Sequence, residues 1–378
     1  MAILKRLGTS TKKKLTTDGD LQLKAVVYLV TFKDWDETTL QAGFVDTGGD
    51  VTPPPEPTRV DYAFDGWSGT YTNVTSTRTI TATYTYDPAL YAFTSHTFTP
   101  CGATVQNGPT FAQMKTAYAA TIWELNTAWF NSTIQGYQLW TVPKAGSYTI
   151  EAAGAKGGLH GSSSNGISGK GAKMKGTFTL TKGDKIRIAV GQIGGTGGNY
   201  GAGGGGGTFV MKETGSAVAD ILVIAGGGGG PGYSSNDDGV DAPITGDGTK
   251  NASGNGTGGT GGTGGTGGTG SYNAGGGAGL IGDGAVGQGT ADGGNKFTTD
   301  LIGGLGDTSY GPNAHGGFGG AGGGSVMGGG GGGYSGGAGG SVGNYSAGGA
   351  GGSYNNGTSQ VNTAGANNAA GYVTIVQL

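Results

Sequence analysis

The chain has 378 residues, 91 of them glycine, with a formal net charge of −3 and a pI near 5.6. That balance gives no electrostatic case for nucleic-acid binding, and a lone cysteine, Cys101, excludes an internal disulfide or a zinc site of several thiolates. The longest apolar run, Ile221 to Ala225, is far below the roughly 20 residues a membrane-spanning helix needs.

Residues 1–24 are polar and basic, with Lys5, Arg6, Lys12, Lys13 and Lys14 grouped near the start. They read as an arm that lies on an acidic partner or stays in solvent. Met1 to Gly8 is too short and too basic for the apolar core of a signal peptide. From Ala25 to Tyr86 short β-type runs follow: Val26 to Phe32, Leu40 to Val45, and the strictly alternating Thr77 to Tyr84. Thr52 to Arg59 (TPPPEPTR) lacks the donors of a central strand and is expected to be an extended connection.

Residues 87–136 read as a connecting segment with one helix, Thr110 to Ala120. Phe111, Met114, Ala117 and Tyr118 make its apolar stripe and Thr110 its N-cap, and Trp123, Trp129 and Phe130 are expected to seal it against a sheet. Strands return at Tyr137 (YQLWTV, SYTIEAA, MKGTFTLT, KIRIAV, TFVMK, DILVIA) and once more at the end, Gly371 to Leu378.

Eighty of the glycines fall after residue 153. In Gly254 to Gly270 a threonine recurs every third residue, at Thr257, Thr260, Thr263, Thr266 and Thr269. No α-helix or β-strand has that period, whereas an extended threefold helix rising ~3.1 Å per residue does. Such a helix makes no internal hydrogen bonds, so order requires neighbours on every side. The predicted organisation is therefore a sheet-built module at 137–225 and 371–378 with a glycine array inserted at 226–370.

Two resemblances bear on this reading. Val30-Thr31-Phe32, the Pro55-x-Pro57-Thr58-Arg59-x-x-Tyr62-x-Phe64-x-Gly66-Trp67 core, Asn73-Val74-Thr75 and Thr79 to Tyr84 resemble the internalin B-type (Listeria–Bacteroides) repeat. That implies a β-grasp-like spacer at 25–86, although Asp34-Trp35-Asp36-Glu37 departs from the glycine turn usual there. Trp140-Thr141-Val142-Pro143 with Gly146-x-Tyr148, Glu151 to Gly158, Gly328 to Gly337, Gly348 to Tyr354 and Gly371 to Ile375 resemble the glycine-rich domain of the anaplastic lymphoma kinase receptor family and of phage and bacterial surface proteins. The resemblance implies a mainly β chain: a TNF-like β-sandwich carrying an inserted bundle of polyglycine II helices.

His96, His160 and His315 stand in separate segments, and no phosphate loop or nucleophile elbow is present. Neither metal, cofactor nor catalysis is expected. Asn236, Asp237 and Asp238 with Asp241 are at most a weak calcium loop. The turns between array helices are the places where side chains vary freely, and Tyr233, Asn236, Asp237, Asp238, Tyr310, Asn313 and His315 are the expected receptor contacts. Tyr334 and Tyr354 are expected to cover array edges.

Display-type modules without an evident export signal suggest a phage virion surface protein of fibre or adhesin type. The basic arm would fix it to other virion proteins, capsid or tail, and the glycine-rich head would attach non-covalently to a host glycan or protein. Membrane insertion is not expected, and homo-oligomerisation stays open. The alternative is a structural capsid-decoration or head-fibre protein that binds no receptor.

Overall fold

A computed structural model describes residues 14–15, 21–22, 26–161, 166–213, 220–233, 237–270, 272–287, 291–310, 313–341 and 346–378. The chain is mainly β and divides into two compact units, residues 1–89 and 90–378. Of the expected arm, only a small ladder falls within the described residues: β1 (Lys14–Leu15) paired with β2 (Leu21–Gln22).

In the first unit β3 (Val27–Lys33), β4 (Thr39–Asp46), β5 (Tyr62–Trp67) and β6 (Arg78–Tyr86) form a sheet of order β4-β3-β6-β5. The central β3–β6 pair is parallel and the flanking pairs are antiparallel. Alternation sets the faces: Val30, Phe32 and Ile80 point inward with Val74, and Trp67 meets Phe32 edge-on at 4.9 Å. The proline-rich Thr52 to Pro57 forms no strand, as its missing N–H donors require. The β3–β4 tip that lacks the usual glycine closes nonetheless, because Glu37 adopts φ 68° and its N–H bonds to the Asp34 carbonyl.

The second unit is a β-sandwich with a glycine lattice. Its five-stranded sheet has the order β16 (Thr358–Asn367), β11 (Gly171–Leu180), β10 (Gly146–Ala153), β17 (Tyr372–Gln377), β7 (Ser95–Phe98). Its six-stranded sheet runs β15 (Tyr354–Asn355), β14 (Ile221–Ala225), β13 (Thr208–Lys212), β12 (Lys185–Ala189), β9 (Tyr137–Thr141), β8 (Phe130–Asn131). All of these pairs are antiparallel. The terminal strand β17 lies between β10 and β7, so it joins the five-stranded sheet and not the six-stranded one that contains Tyr137.

Residues 87–136 are more than the connection expected of them. They give β7 to one sheet and β8 to the other, so the sandwich begins well before Tyr137. The helix α1 (Phe111–Tyr118) starts at Thr110 in a capping box with Gln113. Its stripe is narrower than the sequence suggests, since Met114 and Tyr118 are buried while Ala117 is exposed. Tyr118 packs on Trp123 and Phe130 with ring centroids 5.9 and 5.6 Å away, which seals the helix to the core.

The six-stranded sheet is buried on both faces. One face meets the sister sheet through Trp140, Ile186, Ile188 and Val210 against Tyr148, Ile150, Met174 and Val373. The other presents Tyr137, Phe209, Met211, Ile221 and Ile224 to Leu280, Phe297, Leu301, Phe318 and Tyr334, which come from turns of the glycine-rich segment. Strands covered on both sides read as unbroken apolar runs, which is why Ile221 to Ile224 shows no alternation.

The array enters through three connections rather than one insertion at 226–370: residues 154–170 between β10 and β11, 190–207 between β12 and β13, and 226–353 between β14 and β15. It also stops earlier than expected, because residues 354–367 are occupied mainly by β15 and β16. Residues 201–207 show its bonding. Ala202 and Gly205 donate to the Pro231 and Gly228 carbonyls, Gly203 and Gly206 to Gly195 and Gln192, Gly204 and Gly207 to Gly322 and Gly319. Their carbonyls in turn accept from Gly329 and Gly332, from Gly158 and Ala155, and from Gly317. Each face repeats every third residue, which is the signature of a threefold extended helix with six lateral neighbours. No side chain fits between such neighbours: a Cβ on Gly204 would lie 2.2 Å from the Gly330 carbonyl oxygen.

The threonine repeat is two passes, not one. It reverses at Gly261 and Gly262, with φ 59° and 92°, so that the Thr266 N–H bonds to the Thr257 carbonyl and the Thr263 N–H to Thr260. All five threonines face solvent while Gly256, Gly259, Gly262, Gly265 and Gly268 are buried. The Thr263 and Thr266 hydroxyls accept the Thr260 and Thr257 N–H and donate to the carbonyls of the same two residues. They stand in for the missing next helix at the lattice edge.

Two outcomes follow. Gly204→Ala should destabilise the second unit by about 3 kcal/mol or more, whereas Gly146→Ala, whose Cβ meets nothing within 4 Å, should change it by less than about 1 kcal/mol; urea midpoints of the two variants decide this. His96 packs edge-on against Phe98, Tyr118 and Trp123, its Nε2 is buried without a partner, and burial pushes its pKa from 6.5 down to about 4. The unfolded chain takes up this proton near pH 6.5 and the folded chain only near 4, so stability present above pH 6.5 is lost as pH falls through that window. Allowing for partial exposure, urea melts at pH 7 and pH 4.5 should differ through this group by roughly 2 kcal/mol, and His96→Phe should remove that part of the slope.

Candidate functional site: a tyrosine cluster at the array apex

Array helices run out from the sandwich and return, so their turns form two sets. The near turns carry Leu280, Phe297, Leu301, Phe318 and Tyr334 into the apolar interface with the six-stranded sheet. There the Tyr137 hydroxyl also donates to the Phe297 carbonyl at 2.5 Å. The far turns carry tyrosines.

Tyr200 lies between the passes ending at Gly197 and starting at Gly201, Tyr233 follows Pro231, Tyr272 follows the threonine repeat, and Tyr310 follows Asp307. Four segments distant in sequence thus put four phenols together. Tyr200 stacks on Tyr233 with centroids 5.8 Å apart and meets Tyr310 edge-on at 5.5 Å, while Tyr310 meets Tyr272 at 4.7 Å. Tyr200 and Tyr310 lean on Ala274, Val326 and Met327, which gives the cluster an apolar floor. Tyr233 and Tyr272 are 41% and 47% exposed, enough to leave ring area for a partner. The hydrogen bond with the Tyr272 hydroxyl, with the electrostatic effect of that group next, pushes the Tyr310 pKa up. Asp307 is buried beside the cluster, where its carboxylate accepts the Ser309 N–H at 2.7 Å and the Ser325 hydroxyl at 3.0 Å.

The structure sorts the other expected contacts. Asn313 is exposed on the same turn system. His315 is half-buried, and its Nδ1 accepts the Gly306 N–H at 3.0 Å, so its ring caps a lattice amide, and burial lowers its pKa. Asp238 accepts the Ile167 N–H at 2.6 Å and Asp241 the Lys170 N–H at 2.7 Å; both tie neighbouring loops. The Asp237 carbonyl accepts the Gly232 N–H at 2.9 Å and closes the turn that bears Tyr233. Among the described residues no three His, Cys, Asp or Glu side chains gather as a metal site. Asn236 lies outside the described residues, as do Lys5, Arg6, Lys12, Lys13 and the side chain of Lys14. Tyr334 stacks on Tyr354 at 5.0 Å and is buried in the apolar interface with the six-stranded sheet, so it is a core residue of that interface rather than the edge cover expected of it.

Tyr200 and Tyr272 belong to the site and escaped the sequence reading. The available signal was an isolated tyrosine beside Asn199 or Ser271 within glycine text, the composition of a turn. A concavity of about 430 Å³ on the array flank is lined by Asp283, Val286, Asp292, Asn295, Ile302 and Leu305. It has no aromatic side chain, and Asp283 is paired with Lys296 at 3.1 Å.

No family model matches the chain. A mouse leukocyte tyrosine kinase receptor is 36% identical over 97 residues, a stretch that covers 26% of this chain and 11% of the receptor. The likeness is partial, and it supports the glycine-rich-domain resemblance over about a quarter of the chain.

Proposed function

We propose that this chain is an attachment module of a virion surface: a glycine lattice that holds the tyrosine apex rigid for non-covalent contact with a host glycan or protein. The observation that carries the proposal is the convergence of Tyr200, Tyr233, Tyr272 and Tyr310 from four separate turns. Tyrosine gives large contact area at low entropy cost and combines an apolar face with a hydroxyl, which suits a binding surface. The lattice removes the remaining cost, because its turns are fixed before a partner arrives.

The first unit fits the role of spacer. Its four-stranded mixed sheet, with Trp67 packed on Phe32, agrees with the internalin B-type resemblance. Residues 1–24 are the proposed tether to other virion proteins, and multiple copies on one particle would convert weak single contacts into firm adhesion.

Purified chain added to host cells should compete with particles and lower adsorption at least about tenfold, while a chain with Tyr200, Tyr233, Tyr272 and Tyr310 all changed to Ala should compete no better than buffer. Equal competition by both chains contradicts the apex as the contact surface. Particles lacking the chain that adsorb normally but break easily would instead favour the decoration role.

A further inference from the structure

One edge of the glycine lattice lacks its outer neighbours. The passes 283–286, 292–295 and 302–305 lie side by side along the concavity of about 430 Å³ on the array flank. The middle pass is joined to the first where the Gly284 N–H donates to the Gly294 carbonyl, and to the third where Asp292 and Asn295 donate to the Leu305 and Ile302 carbonyls. On its inner side Gly294 donates to the Gly276 carbonyl and the Asp292 carbonyl accepts from Gly323. That makes four neighbouring passes, where residues 201–207 have six. On the outer side neither the N–H nor the carbonyl of Gly293 has a hydrogen-bond partner among the described residues, and the N–H groups of Asp283, Val286 and Leu305 have none either. All four of these residues line the concavity.

The threonine edge of the same lattice is closed differently. There the Thr263 and Thr266 hydroxyls accept the N–H groups, and donate to the carbonyls, that a further helix would have met. Val286 and Leu305 have no hydroxyl and Gly293 has no side chain, so these residues cannot cap their own edge in that way. Asp283 and Val286 stand three residues apart on one pass, which places their free N–H groups on one face roughly 9 Å apart along its axis. Another threefold extended helix presents its carbonyls at the same spacing. The edge is also acidic. The Asp283 side chain is 52% exposed although Lys296 pairs with it, and the Asp292 carboxylate has no cationic partner among the described residues.

From this edge we infer a binding site for a basic, glycine-rich segment of a partner protein, of Gly-Gly-Arg type, that docks in extended threefold form as the missing lattice helix. Glycine is required at the positions that face the lattice, because packing of this kind leaves no space for side chains: a Cβ on Gly294, one residue along the same pass, would lie 2.1 Å from the Gly320 carbonyl oxygen. Every third side chain then stays at the rim, as in the threonine repeat, and a long guanidinium side chain there reaches Asp292 or Asp283 for a charge-assisted hydrogen bond. A second copy of this chain is the poorer occupant, since two such edges face to face would set carboxylates and unpaired N–H groups against their like. The site shares no residue with the tyrosine apex. Its donors are held in place by the lattice, so the ordering cost of binding falls mainly on the peptide.

The test titrates the full chain with synthetic peptides of four Gly-Gly-Arg, four Gly-Gly-Glu or four Ala-Ala-Arg repeats, followed by amide NMR shifts and by calorimetry. The Gly-Gly-Arg peptide should bind, shifting the amides of Asp283, Val286, Gly293 and Leu305 and slowing their hydrogen exchange. The other two should each bind at least about fivefold more weakly, one through its charge and one through its methyl groups. Asp292→Lys should weaken the arginine peptide by a similar factor with an unchanged melting temperature. The variant lacking the four apex tyrosines should bind that peptide like the unmodified chain, which separates this site from the attachment proposal. Absence of binding by the arginine peptide overturns the inference. So does equal binding by either control peptide or by Asp292→Lys, and so does binding that leaves those four amides unmoved.

Discussion

Everything in the second unit depends on backbone amides of one extended helix reaching the carbonyls of its neighbours with no Cβ between them. A threefold extended helix satisfies none of its own polar groups, and glycine loses the most conformational freedom on ordering. A single pass would therefore stay disordered in water. Residues 201–207 escape that because six neighbouring segments take up their N–H and C=O groups in rotation. Packing at that distance also closes the lattice to substitution, since a Cβ on Gly205 would meet the Ala155 carbonyl oxygen at 2.4 Å.

A lattice of hydrogen bonds alone still needs an apolar anchor, and the six-stranded sheet supplies it. Its outer face buries Phe297, Phe318, Leu301 and Leu280 from the near turns, so several returns of the glycine chain are pinned by a large side chain. The three connections that feed the array all leave one end of the sandwich, and holding their ends together lowers the entropy of closing loops that long. The same division leaves the far turns free of core duty. Aromatic rings there cover one another and remain partly open to solvent, which separates the parts that hold the molecule from the parts that can touch something else.

Much of this was legible in the residues. Alternation marked β6, β11 and β12, the apolar stripe behind an N-cap at Thr110 marked α1, and the three-residue period of Thr257 to Thr269 marked the lattice geometry. What could not be read was which glycines neighbour which, because a residue without a side chain carries no record of its partner. That is why the array looked like one insertion when residues 154–170 and 190–207 also build it, and why the reversal at Gly261 and Gly262 was invisible inside identical Gly-Gly text. At the apex, Tyr233 and Tyr310 stood out within turn-rich segments, but their link through Tyr200 is a property of the packed helices alone. His315 was misleading for a local reason: its ring accepts a lattice N–H, which no spacing rule foretells.

The central claim is that the side-chain-poor half is as solid as the sheets beside it. Amide hydrogen exchange on the intact chain, resolved to single residues, tests it most directly. Protection at the amides of Gly203 to Gly207 and of Gly329 to Gly332 should approach that of Ile186 to Ala189 in β12, since all are buried or hydrogen-bonded within the packed interior. Exchange of those glycines at the rate of a free coil, with β12 still protected, would contradict the account.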